Sequence, residues 1–162
     1  MQIIPENISV VQAIQLILAP GIMINACGLL MLGIGNKFST VLNRIRVLNE
    51  EKRKLMVRAG EPNFTPLENQ RLESVSRQIS GLMYRAQLIR NAIFCYFTGI
   101  GFFVITSFLI GAEYFFHIAL LRLVILFVFL LGMLLVFGGV LYGVFDTLRS
   151  FDIVKFEVQV DE

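Results

Sequence analysis

Three stretches of the chain, 8–35, 92–112 and 118–145, carry a single charged residue among them, Arg122. Each is long enough for a helix to cross a hydrocarbon core of about 30 Å at about 1.5 Å per residue. Three transmembrane helices are therefore expected. Between the first two lies a polar region, 36–91, in which apolar residues keep a regular rhythm. They fall at Phe38, Val41, Ile45, Leu48 and Leu55, with Lys52 in the one missing place, and then, after the break "AGEPNF", at Leu72, Val75, Ile79, Leu82, Ala86, Ile89 and Ile93. Alternating steps of three and four are heptad spacing, which predicts two helices that pack along a narrow seam.

Folding the chain back at the break pairs Phe38 with Ala86, Val41 with Leu82, Ile45 with Ile79, Leu48 with Val75 and Lys52 with Leu72, so both seams are buried by an antiparallel coiled-coil hairpin. The second arm also declares its start. In "TPLE", Thr65 is placed as N-cap, Pro66 at the first helical position and Glu68 where a capping box needs its carboxylate. Near the end of the chain, "VKFEVQVD" at 154–161 alternates apolar and polar residues, the pattern of a strand that would need a partner edge, the alternative being a short amphipathic segment that rests on the hairpin or the membrane. The expected fold is an all-α membrane protein: an outer N-terminus and first span (1–35), a helical hairpin (36–91), two further spans (92–145), and a tail with a short C-terminal strand (146–162).

Composition agrees with the pattern. The 162 residues are 56% hydrophobic and 16% charged, with a mean hydropathy of +0.74. Charge distribution adds an orientation. Of fourteen basic residues, eleven lie in 36–91, and basic segments beside spans stay on the cytoplasmic side. The hairpin and, after three crossings, the tail are then cytoplasmic, with the N-terminus outside. Arg122 falls at the outer end of the third span, close enough in sequence to pair with Glu113 or to snorkel to headgroups. Lys37, Arg44, Arg85 and Arg90 stand at the foot of the hairpin, suited to anionic inner-leaflet lipid. Nucleic acid is a poor match for the same charge, because net charge is only +2 and Glu50, Glu51, Glu61, Glu68 and Glu73 dilute the basic region.

A cleaved lipoprotein leader at "INAC" (24–27) is not expected: no Lys or Arg precedes Lys37, and apolar sequence continues past Cys27. Cys27 and Cys95 read as small packing residues. His117 with one nearby Glu falls short of a metal site, and no cofactor is implied.

Residues 18–28, "LAPGIMINACG", are unusual for a span. Gly21, Asn25, Gly28, Leu32 and Gly35 share one helical face, next to Pro20, which bends a helix. Small residues and an asparagine on one face call for a neighbouring helix. The third span has a comparable seam in Gly132, Gly139 and Gly143, with Asp146 next, and Arg149 one turn on as its nearest candidate partner. Such faces exceed what three spans can use among themselves, so a homo-oligomer is expected.

The run "APGIMINACGLLMLGIGNKFSTVLNRIRVL", followed by "QISGLMYRAQLIRNAI" and two more spans, resembles a bacterial three-span membrane-protein family catalogued as a domain of unknown function, number 2721. The resemblance implies an inner-membrane location and supplies no catalytic residues. From the residues themselves, no nucleophile with a base and no paired carboxylates can be assembled, so an enzyme is not expected. An ion channel or conduit is suggested by Gln12, Gln15, Asn25 and Asp146, with Thr98, Thr106 and Ser107, although Gln12, Gln15 and Asn25 do not fall on one stripe at about 100° per residue, so pore lining competes with simple hydrogen bonding between helices. The alternative is a scaffold or accessory subunit that presents its hairpin to a cytoplasmic protein partner.

Overall fold

In the computed structural model the backbone is described for residues 10–60, 64–116 and 119–160, and side chains for 14–60, 64–116 and 121–149. The chain forms three helices: α1 (Val10–Arg58), α2 (Pro66–Phe116) and α3 (Ala119–Val160). Each contains a segment long and apolar enough to cross a membrane. At about 1.5 Å per residue, α1 and α2 run to more than twice a bilayer core, so each has a span and an equally long polar half. No proline interrupts them between these halves, and α1 runs unbroken through Gly33 and Gly35 at its junction; Pro20, the only proline inside α1, lies before it.

Two compact units share these helices: Met1–Leu32 with Ile93–Val140, and Gly33–Ala92 with Leu141–Glu162. In the first unit, α2 and α3 approach closely through glycines. A Cβ on Gly99 would lie 2.8 Å from Val136 Cγ2, one on Gly132 would lie 3.0 Å from Phe103 Cε1, and one on Gly139 would lie 3.0 Å from Tyr96 Cε1. Phe103, Tyr96 and Val136 are buried there, and the Phe103 ring meets Phe129 at 5.5 Å. This is the small-residue packing by which membrane helices gain van der Waals contact. The large side chains on the opposite faces, among them Phe94, Phe108, Phe127 and Leu134, are exposed, as a lipid-facing surface requires. At the α2–α3 turn, Arg122 Nε donates to Glu113 Oε1 at 2.6 Å, with Glu113 buried and Arg122 exposed, the pair expected from their spacing.

In the second unit the polar halves of α1 and α2 lie side by side. Val41, Ile45, Leu48, Val75, Ala86 and Ile89 are buried. Lys52 Nζ donates to Ser76 Oγ at 3.3 Å, Arg71 pairs with Glu51 at 2.8 Å and Arg58 with Glu68 at 2.9 Å, which sets the two helices antiparallel about the turn that follows Arg58. Exposed ion pairs of this kind contribute little stability each; they report register.

Two expectations need correction. The buried row of α2 runs Ala86, Ile89, Ala92, Tyr96, so it passes through Ala92 and leaves Ile93 half-buried. Two successive steps of three shift the row by one place, a heptad discontinuity hidden by the fact that both residues are apolar. The C-terminal strand is absent as well: residues 154–160 continue α3, and Asp161 lies outside the described residues. No proline or glycine follows Gly143 to stop the helix, and no described strand offers the edge that a lone strand would require.

Candidate functional site

The first span divides its unusual residues between two faces. Pro20 and Cys27 are fully buried, and Ile24, Met31 and Ile34 are half-buried, forming a row with steps of three and four. That row carries on through Phe38, Val41, Ile45 and Leu48, so one heptad phase runs along most of α1. Gly21, Asn25, Gly28 and Leu32 lie on a different face and are exposed, with Gly35 half-buried. A Cβ on Gly21, Gly28 or Gly35 would meet nothing within 4 Å. Pro20 thus serves packing inside the chain, while the glycines and Asn25 do not. Of the most apolar stretch of each helix, 11% is buried in α1 against 28% in α2 and 17% in α3, so α1 has the least covered span.

The Thr and Ser hydroxyls of the second span are already satisfied. Thr98, Thr106 and Ser107 donate their hydroxyls to the carbonyls of Phe94, Phe102 and Phe103, one turn back on the same helix. Gln15 is exposed, and the side chain of Gln12 lies outside the described residues. Among the described residues no three His, Cys, Asp or Glu side chains gather into a metal-binding group.

At the end of the third span the structure shows a partner that local spacing does not suggest. Asp146 is 1% exposed and accepts from Arg85 Nε at 3.2 Å, whereas Arg149 lies over the Tyr84 ring at 4.3 Å. Lys37 Nζ donates to Thr147 Oγ1 at 3.3 Å. Gly143 is half-buried, 3.6 Å from Ile34 Cδ1 if a Cβ is added, and Gly139 is packed on Tyr96. Asp146, Gly139 and Gly143 are therefore packing residues within one chain. Arg85 is turned to Asp146 with its side chain only 20% exposed, so of the four basic residues expected at headgroups only Lys37, Arg44 and Arg90 remain exposed. Helical spacing alone could not find the Arg85–Asp146 pair, since Arg149 is the nearest basic residue in sequence.

Where α1 and α2 pair, one side of their seam is an open groove of about 670 Å³, lined by Phe38, Leu42, Ile79, Met83, Ala86 and Arg90 together with Ser80, Tyr84 and Gln87. At the far end of the pair, the start of α2 is capped as its sequence predicts. The Thr65 N–H donates to Glu68 Oε2 at 2.9 Å, and the Glu68 N–H lies 3.4 Å from Thr65 Oγ1. The Thr65 backbone and hydroxyl hydrogen bonds, and then Arg58, hold the Glu68 carboxyl below its ordinary range. The hydrogen bond and charge of Glu51 raise Arg71 above its own.

The model of one family, proteins of unknown function termed DUF2721, matches residues 17–156, and the chain belongs to that family. No curated protein and no solved structure matches it.

Proposed function

We propose that this DUF2721 protein is a non-enzymatic homo-oligomer of the bacterial inner membrane, in which α1 helices meet through the Gly21–Asn25–Gly28 face and line an ion conduit. Asn25 carries the proposal. It is exposed on an apolar span, with no hydrogen-bond partner among the described residues, and an added Cβ on the glycines three and four positions away would meet nothing within 4 Å. An amide in hydrocarbon is best satisfied across a helix interface, worth about 0.6 to 2 kcal/mol, and a ring of such amides is a polar constriction within apolar walls. The Thr98, Thr106 and Ser107 hydroxyls are bonded within their own helix, which leaves Asn25 as the polar group of the glycine face, with the exposed Gln15 on a different stripe of α1. In this proposal Asp146 anchors α3 and contributes no ring.

The concentration of basic residues in 36–91 orients that region and the tail to the cytoplasm, with the N-terminus outside. The helix pair is then a cytoplasmic coiled-coil hairpin, and Lys37, Arg44 and Arg90 meet anionic lipid headgroups. Reconstitution in planar bilayers tests the conduit. Wild-type protein is expected to give discrete single-channel currents that Asn25→Leu suppresses while the oligomer persists. Silent bilayers from intact oligomer, across a range of voltage, tension and pH, would overturn it.

One observation favours a second reading, a scaffold. Met56, Val57 and Leu67, near the turn of the hairpin, are each more than half exposed, an apolar tip suited to a cytoplasmic protein partner. Co-purification of a foreign subunit in fixed stoichiometry, lost with Leu67→Glu, would support that role.

A further inference from the structure

Where the apolar runs of α1 and α3 end, the two helices lie side by side over two successive turns. A Cβ on Gly143 would stand 3.6 Å from Ile34 Cδ1, and one turn further on Lys37 Nζ donates to Thr147 Oγ1 at 3.3 Å. The hydroxyl hydrogen of Thr147 already goes to the Gly143 carbonyl at 2.9 Å, so towards Lys37 this oxygen only accepts. It fixes one N–H of an exposed ammonium, and the other two have no partner among the described residues.

Arg44 stands on the same face of α1, two turns on, about 20° round the helix from Lys37 and about 10 Å along it. It is exposed too, and neither cation has a carboxylate partner among the described residues. Asp146, the only carboxylate among the described side chains of α3, is held by Arg85 at 3.2 Å. Lys37 and Arg44 therefore share one face without a counter-charge. Two long side chains at that separation can close on a single phosphate between them, through charge-assisted hydrogen bonds from ammonium and guanidinium.

Beside the charge runs an apolar stripe. Leu141, Val144 and Leu148 follow one another on α3 at steps of three and four, all exposed, with Thr147 one turn after Val144. A free phosphate gains nothing from such a stripe, whereas a lipid acyl chain packs along it. All of these residues belong to the unit of 33–92 with 141–162.

We infer that Lys37, Arg44 and Thr147 form a binding site for one anionic phospholipid molecule, its phosphate between the two cations and an acyl chain along Leu141, Val144 and Leu148. This rests on the headgroup contact proposed above for Lys37 and Arg44, and narrows it to one molecule at one place. Thr147 is a positioning residue, which acts by holding the Lys37 ammonium at the junction of α1 and α3. Arg90 is not part of the site. It lines the hairpin with Phe38 and Leu42, which lie about 100° to 160° round α1 from Lys37 and Arg44.

Native mass spectrometry of the full chain, released from nanodiscs of mixed phosphatidylcholine and phosphatidylglycerol, counts the lipid that stays bound. The expected result is one retained phosphatidylglycerol per chain. Its apparent affinity should fall about fivefold with Lys37→Gln and about as much with Arg44→Gln, as about 1 kcal/mol per basic residue beside anionic lipid implies. Thr147→Val should weaken retention and Thr147→Ser restore it, while Arg90→Gln leaves it unchanged. Helix content and the thermal midpoint in phosphatidylcholine alone should be the same for every variant. An equal loss with Arg90→Gln would mean a diffuse headgroup layer, which overturns the site and leaves the headgroup contact standing. Displacement of the lipid by inorganic phosphate at matched ionic strength would assign the cations to a soluble anion and overturn the site as well. Equal retention of phosphatidylcholine and phosphatidylglycerol would remove both readings.

Discussion

Arg85 of α2 and Asp146 of α3, sixty-one positions apart in sequence, meet at 3.2 Å with the carboxylate almost wholly buried. The pair fastens the end of the third span to the hairpin, and Lys37–Thr147 and the Arg149–Tyr84 stack flank it in the same unit. A buried ion pair need not stabilise relative to an apolar pair of the same shape, yet losing one partner leaves a poorly solvated charge.

Asp146→Ala is therefore expected to cost about 3 to 5 kcal/mol, and Arg85→Met a similar amount, while Arg85→Met with Asp146→Leu recovers most of the loss. Denaturant unfolding in mild detergent, followed by circular dichroism, completes the double-mutant cycle. Independent, additive losses would show that the two side chains do not act as a pair.

The glycines separate into two classes. Gly99→Ala puts a methyl 2.8 Å from the stiff Val136 side chain and is expected to destabilise α2–α3 packing by about 1 to 3 kcal/mol. Gly28→Ala, with open space around it, should leave the thermal midpoint of the monomeric fold unchanged and act only on assembly, read as mass in nanodiscs.

In the polar half of the hairpin, Ile45 is 6% exposed and Arg53 is solvated. Ile45→Asp buries an unpaired charge and should cost several kcal/mol, about 3 or more, whereas Arg53→Ala should stay within about 0.5 kcal/mol. Equal tolerance at both sites, in a proteolysis time course across 33–92, would contradict the packing.

The α2 capping box has a pH signature. Glu68 is held below its ordinary value of 4.5 by Thr65, so its contribution to the folded state is complete above that value and is lost as pH falls through the lower, folded value. Amide exchange in the first turn of α2 should quicken over that acidic window and become pH-independent in Glu68→Gln once intrinsic exchange rates are divided out. An unchanged profile in the variant would assign the loosening to other carboxylates.

Orientation is tested at the turn. In the Cys27→Ala, Cys95→Ala background, Glu61→Cys should react with a membrane-impermeant thiol reagent only after cells are opened. Reaction in intact cells would invert the topology.

Elementary physical chemistry acting along the chain was enough for several features. The three apolar runs demand helices because hydrocarbon leaves backbone groups no partner outside the segment. Thr65, Pro66 and Glu68 specify a helix start through contacts only three residues long, and Glu113 and Arg122 flank one turn, so their pairing was legible too. Heptad spacing told which of Phe38 to Leu48 faces inward, because the alternative face there is charged. Within the first span that contrast vanishes: both the Pro20–Cys27 row and the Gly21–Asn25–Gly28 row are free of charge, and only packing in the folded chain decided that the first is buried and the second exposed. The partner of Asp146 was likewise a tertiary matter, since local spacing favours Arg149 and a contact across sixty-one positions depends on how α2 and α3 are set side by side. The tail shows the same limit from the other direction. Its alternation at 154–161 suits a strand or a two-sided helix equally well, and continuity with α3, which has no breaker after Gly143, settled residues 154–160 as helix.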